Sequence, residues 1–90
     1  MYWEVRFTPT FRKNLESLDK GTQDRVIDKI EWLAKSREIR VPLVKYLPKE
    51  LDGLRKYRVG NWRILLWLNE DEKAIVLYGV GHRKEIYKRF

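Results

Sequence analysis

The sequence predicts an α+β domain in which a helical hairpin packs on a mostly antiparallel four-stranded sheet, in the order β-α-α-β-β-β, closed by a short C-terminal helix. Three observations carry this reading. The chain opens on a period-two run, Tyr2-Trp3-Glu4-Val5-Arg6-Phe7; two apolar stripes of helical spacing follow; and residues 54–80 hold three strand-like runs, the first two joined by Gly60-Asn61.

In the opening run Trp3, Val5 and Phe7 share one side and Glu4 and Arg6 the other, the pattern of a half-buried strand over residues 2–7. Thr8 before Pro9 suits an N-cap and a first helical position, where proline's missing N–H would have no partner anyway. Phe11, Leu15 and Leu18 recur at i, i+4 and i+7, which predicts a helix over residues 9–18. After a turn at Asp19-Lys20-Gly21-Thr22, Val26, Ile27, Ile30, Leu33 and Ala34 form the stripe of a second helix over residues 21–36, with Lys20, Lys29 and Lys35 on its solvated face. Residues 37–53 lack a clean period and contain Pro42, Pro48 and Gly53, so they read as a loop with a short extended piece near Val44 to Leu47. Leu54 to Val59 alternates again, and Gly60-Asn61 supplies a two-residue type I′ or II′ turn into the partner strand Trp62 to Leu68. Asn69 to Lys73 is a polar loop, Ala74 to Val80 is a third meander strand, and His82 to Phe90 forms the closing helix. Nothing repeats and nothing is of low complexity, which predicts one domain over residues 1–90.

Composition bounds the function. In 90 residues, 43% are hydrophobic and there are 4 Trp, 5 Tyr and 3 Phe, too apolar and too aromatic for a disordered chain. With no Cys, neither disulfides nor a thiolate zinc site can support the fold. The longest apolar stretches, Ile64 to Leu68 and Ala74 to Val80, fall far below the roughly 18–20 residues of a membrane span. The N-terminus has no signal-peptide pattern, and a cytoplasmic protein without membrane association is expected. The formal net charge is +7. It is concentrated late, because residues 37–90 hold 13 Lys and Arg against 7 Asp and Glu. Such a field favours a polyanion, nucleic acid above all, or an acidic protein.

The hairpin register turns charge into geometry. With Gly60 and Asn61 as the loop, Val59 faces Trp62, Arg58 faces Arg63 and Lys56 faces Leu65, so Lys56, Arg58 and Arg63 share one face. Arg58 and Arg63 then stand opposed with Cα atoms roughly 4.5–5.5 Å apart, a like-charge pair that costs stability. Either both side chains extend into solvent, or the pair forms an anion site in which a phosphate bridges two guanidinium forks. A second basic knot, Gly81-His82-Arg83-Lys84, precedes Tyr87; its histidine, the only one in the chain, can exchange a proton near neutral pH. Tyrosine and arginine in this company suit a stacked base and an RNA phosphate. Phosphate-loop, zinc-protease and Ser-His-Asp signatures are missing, and the scattered acids form no magnesium cluster. Trp62 and Trp67 fall on opposite faces of their strand, one toward the core and the other free for a partner or base.

Two segments, Leu54-Arg55-Lys56-Tyr57-Arg58-Val59-Gly60-Asn61-Trp62-Arg63-Ile64 and Val80-Gly81-His82-Arg83-Lys84-Glu85-Ile86-Tyr87, together with the opening strand and the Leu18-Asp19-Lys20 turn, resemble the RelE/ParE superfamily of toxin–antitoxin toxins, and within it the RelE-like mRNA interferases. The resemblance covers nearly the whole chain. It implies metal-independent and cofactor-free cleavage of mRNA in the ribosomal A site, where the RNA's own 2′-OH attacks the adjacent phosphate to leave a 2′,3′-cyclic phosphate and a free 5′-hydroxyl. The family's basic pair matches Lys56 and Arg58, its phosphate-holding arginine Arg63, its late arginine Arg83 and its terminal tyrosine Tyr87. One departure is Arg58, where the best-known members carry lysine; a guanidinium holds a phosphate but hardly accepts a proton, so general-base duty falls to Lys56 or His82. Arg83 and His82 are then acid/base candidates, with Tyr87 stacking or orienting a base. The resemblance also implies mRNA and ribosomal RNA as partners on the ribosome, and an acidic, wrapping antitoxin that neutralises the toxin in a hetero-oligomer. Trp3, Trp32 and Trp67 are its expected docking points. The alternative within the superfamily is a ParE-like toxin that binds DNA gyrase and needs no acid/base residues.

Overall fold

Each element forms where local chemistry starts and stops it. The computed structural model describes residues 2–89, with the side chains of Tyr87 and Arg89 outside that description. Strand β1 is Glu4–Phe7, helix α1 is Pro9–Glu16 and helix α2 is Lys20–Ala34; after a 3₁₀ turn at Lys49–Leu51 come β2, Arg55–Val59, β3, Trp62–Asn69, and β4, Ala74–His82. A second 3₁₀ turn, Ile86–Arg89, stands where a short closing helix was expected. The Thr8 hydroxyl caps α1 by accepting from the Phe11 N–H at 3.1 Å, and Asp19 caps α2 by accepting from the Thr22 N–H. The Thr22 hydroxyl also donates to Asp19, and together these two bonds hold the Asp19 carboxyl below the usual carboxylate range.

The strands lie in the order β1-β4-β3-β2. The meander β2-β3-β4 is antiparallel, and β1 joins β4 in parallel with Phe7 opposite Leu77. Where β1 ends, α1 takes over the open edge of β4. The Thr8 hydroxyl donates to the Leu77 carbonyl at 2.8 Å, and the Asn14 side chain accepts from the Val80 N–H at 3.2 Å. Buried edge groups therefore stay paired without a longer strand.

Helices cover one face of the sheet. Phe11, Val26, Ile30 and Leu33 pack there against Ile64, Leu66, Ile75, Leu77 and Val80, with Tyr57 and Trp62 at the margin. Burial raises the Tyr57 phenol above its ordinary value. The expectation that Trp3 is an exposed docking point is corrected: it is only 2% exposed, and its indole donates to the Ser36 carbonyl at 2.9 Å. The residues just before β1 are tied to the end of α2, where the Tyr2 and Trp3 N–H groups both donate to the Ala34 carbonyl. Trp67 is also not free. It packs in a smaller cluster on the opposite face, with Leu54, Leu65 and Ile86, and donates to the Asp52 carbonyl. Trp32 alone of the three lies open on α2.

Candidate nucleic-acid interface

The second face of the sheet is only partly covered, and the basic residues gather there. Arg58 pairs with Arg63, Lys56 with Leu65 and Val59 with Trp62, in the register expected from the two-residue turn. Gly60 takes φ +58° while Asn61 stays out of the positive-φ region, the pattern of a type II′ turn. Only glycine adopts that conformation freely, so Gly60 sets which cations oppose one another.

The segment after β4 is drawn to the same place by two anchors. The Arg83 N–H donates to the Asn61 carbonyl at 2.8 Å, tying the chain to the tip of the hairpin. Ile86 then folds under, buried beside Leu54 and Leu65, with its Cδ1 about 3.0 Å from where a Cβ on residue 81 would stand. Gly81, opposite Arg63 in the ladder, is thus a close-approach glycine.

The result is an open cleft of about 790 Å³ lined by Arg40, Lys56, Arg58, Arg63, Arg83 and Lys84, with Val41, Pro42 and Tyr57 completing the wall. Among the described residues, no acid lines it. Among the described residues, no carboxylate pairs with Lys56, Arg58, Arg63, Arg83 or Lys84; Arg40 alone is neutralised, by Glu38 at 3.2 Å, which also holds its guanidinium more firmly protonated. The Arg63 guanidinium turns back toward the turn and donates to the Gly60 and Trp62 carbonyls at 3.0 and 2.9 Å, which fixes it without discharging it. The five cations left unpaired around one concavity focus a positive potential of the kind a phosphodiester would satisfy.

Four of the six site residues named from the sequence, Lys56, Arg58, Arg63 and Arg83, therefore meet in one cleft. His82 does not join them. It pairs with Trp62 across the ladder, its ring edge-on to the indole at 5.5 Å, and its Nδ1 accepts from the Lys84 N–H. Strand parity is the reason: neighbours on β4 alternate faces, so with Gly81 opposite Arg63, His82 falls on the other side. Tyr87 has its backbone in the Ile86–Arg89 turn, and its side chain lies outside the described residues. Sequence reasoning missed Arg40. It lies in the aperiodic segment, where spacing gives no face, and only its charge marked it.

These observations define a basic, open-faced α+β protein with a cation-lined cleft on one face of its sheet. The chain matches the family described as ParE toxin of type II toxin-antitoxin system, parDE, over residues 5–87. Toxin RelG of Mycobacterium tuberculosis (strain ATCC 25618 / H37Rv) is 33% identical over 89 residues, covering 99% of this chain and 100% of that protein. Among solved structures, the toxin–antitoxin complex RelBE2 from Mycobacterium tuberculosis matches with a TM-score of 0.69 and 31% identity, over 92% of this chain and 100% of that one. The isolated E. coli RelE toxin shares the fold, with a TM-score of 0.71 at 15% identity, over 97% of this chain and 93% of that one. The chain belongs to the ParE toxin family, in the RelE/ParE superfamily, and is a RelE-like toxin of a type II toxin–antitoxin system.

Proposed function

We propose that this toxin cleaves mRNA in the ribosomal A site, with the cleft between the β2–β3 hairpin and the residues after β4 holding the scissile phosphate. The observation that carries the proposal is the convergence of Lys56, Arg58, Arg63 and Arg83 on one concavity without a compensating carboxylate among the described residues. Arg58 and Arg63 clamp the non-bridging oxygens, and their charge is best matched when the phosphorane-like transition state gathers negative charge. The 2′-oxygen attacks phosphorus, the bond from phosphorus to the 5′-oxygen breaks, and the chain ends as a 2′,3′-cyclic phosphate and a 5′-hydroxyl.

Two protons must move. Lys56 takes the one leaving the 2′-OH, because the guanidinium of Arg58 does not accept it. The departing 5′-oxygen receives its proton from the Lys84 ammonium, beside Arg83 in the same wall and a readier donor than a guanidinium. His82, set against Trp62, has no part in this scheme. Tyr87 is assigned the stacking or orienting of a base, as the resemblance implies.

The same charge suits an acidic antitoxin that covers the toxin, and the M. tuberculosis relative RelBE2 is itself a toxin–antitoxin complex. Trp32, 63% exposed on α2, is an anchor for such a partner. A second reading, gyrase binding, is favoured by the family's own description as a ParE toxin. Primer extension on programmed ribosomes separates the two. Cuts confined to the A-site codon support the nuclease; a folded, toxic protein that makes none, and that inhibits DNA supercoiling, supports the alternative.

A further inference from the structure

A second depression adjoins the basic cleft. It measures about 630 Å³, is lined by Pro42, Leu43, Val44, Lys45, Tyr46, Leu47 and Lys56, and shares Pro42 and Lys56 with the first. Its rim carries Tyr46, whose side chain is fully exposed and whose φ is +62°. A tyrosine at positive φ is disfavoured by the contact of its Cβ with the backbone, and an aromatic ring left wholly in water gains no burial to offset that. Strain of this kind is retained where the exposed group has work to do on a ligand.

The segment that holds Tyr46 is itself fixed. Leu43 bridges to Arg55 at the edge of β2, the Val44 N–H donates to the Leu54 carbonyl at 2.8 Å, and Val44 and Leu47 pack toward Leu54 and Leu65. The ring is therefore presented from an anchored loop. Lys45 beside it and Lys56, shared with the main cleft, extend the positive surface across this depression. We infer that the depression is a nucleobase subsite, in which Tyr46 stacks on a base of the RNA strand next to the phosphate held between Arg58 and Arg63. The inference rests on the RNA reading of the main cleft. It names a contact outside the cluster of cations and makes Tyr46 a binding residue with no proton to transfer.

The test uses ribosomes programmed with an mRNA whose A-site codon carries 2′-O-methyl groups, which block the attacking hydroxyl and leave binding alone to be read. Base–aromatic stacking at an exposed site predicts that Tyr46→Ala weakens toxin binding roughly tenfold, while Tyr46→Phe stays within about twofold of wild type. In a parallel scan, abasic nucleotides are placed one at a time through the codon and its flanks. At one position the abasic site should remove the difference between wild type and Tyr46→Ala. Equal binding by wild type and Tyr46→Ala, or a difference that survives every abasic site, overturns the inference and leaves the RNA reading standing. A folded wild type that binds no programmed ribosome overturns both.

Discussion

Arg58 and Arg63 face each other across a two-stranded hairpin, so removing one charge should stabilise the fold while weakening the site. Directly opposed residues of an antiparallel pair have Cα atoms about 5 Å apart, and two unit charges at the ends of such side chains, about 5–8 Å apart in water, repel by about 0.5–0.8 kcal/mol. The Arg63 guanidinium is turned onto the Gly60 and Trp62 carbonyls, which carries its charge away from Arg58 and lowers that figure. The neighbouring charges of Lys56, Arg83 and Lys84 raise it again. Arg58→Gln, which keeps an exposed polar side chain of similar reach, should therefore add about 0.5 kcal/mol, within the range measured for cross-strand charge pairs. For a chain of this size that corresponds to a rise of about 2–4 °C in Tm. Thermal unfolding followed by circular dichroism reads it, and salt provides the internal control. At about 1 M salt the screening length shrinks to about 3 Å and the gain should vanish. A variant less stable than wild type at low salt, or a gain that persists at high salt, would refute the claim that the cleft holds mutually repelling charges.

Two further outcomes test the framework beneath the site. Thr8→Ala removes the cap of α1 together with the hydroxyl's bond to Leu77, and should cost about 1–2 kcal/mol in urea unfolding; a loss under about 0.3 kcal/mol would mean that the cap is dispensable. Asp19 has a folded-state pKa below its unfolded one, so its contribution is complete above the unfolded value and is lost as pH falls through the folded value. Asp19→Asn keeps the capping geometry without the titration and should flatten the decline in stability below about pH 4; a decline as steep as in wild type would assign the acid sensitivity elsewhere.

Much of this was written in local patterns. Gly60-Asn61 between two alternating runs gave the hairpin register residue by residue, and with it the shared face of Lys56, Arg58 and Arg63. Thr8-Pro9 and Asp19 marked the helix starts, because capping is decided within four residues of chain. Features that depend on how distant segments meet were less legible. Trp3 lies just before β1, and only the return of α2 to cover it makes it core. His82 neighbours Arg83 in sequence but joins Trp62 in space, since the strand continues two residues past the expected end at Val80 and keeps its alternation. Helix α1 stops at Glu16 instead of running to Leu18, because the Ser17 and Leu18 N–H groups bond to Asn14 and Leu15 in a tighter final turn. Arg40 and Tyr46 belong to a segment with no period, where neither spacing nor propensity says which way a side chain points.

The clamp assigned to Arg63 is what the proposed chemistry depends on most. The decisive measurement is single-turnover cleavage of mRNA on programmed ribosomes by wild type, Arg63→Ala and Arg63→Lys, with Tm recorded for each. Losing one preorganised donor to the transition state predicts a rate about 10²–10³ lower for Arg63→Ala, partial recovery with Arg63→Lys, and little change in Tm. Cleavage by a stably folded Arg63→Ala within about twofold of wild type would contradict it.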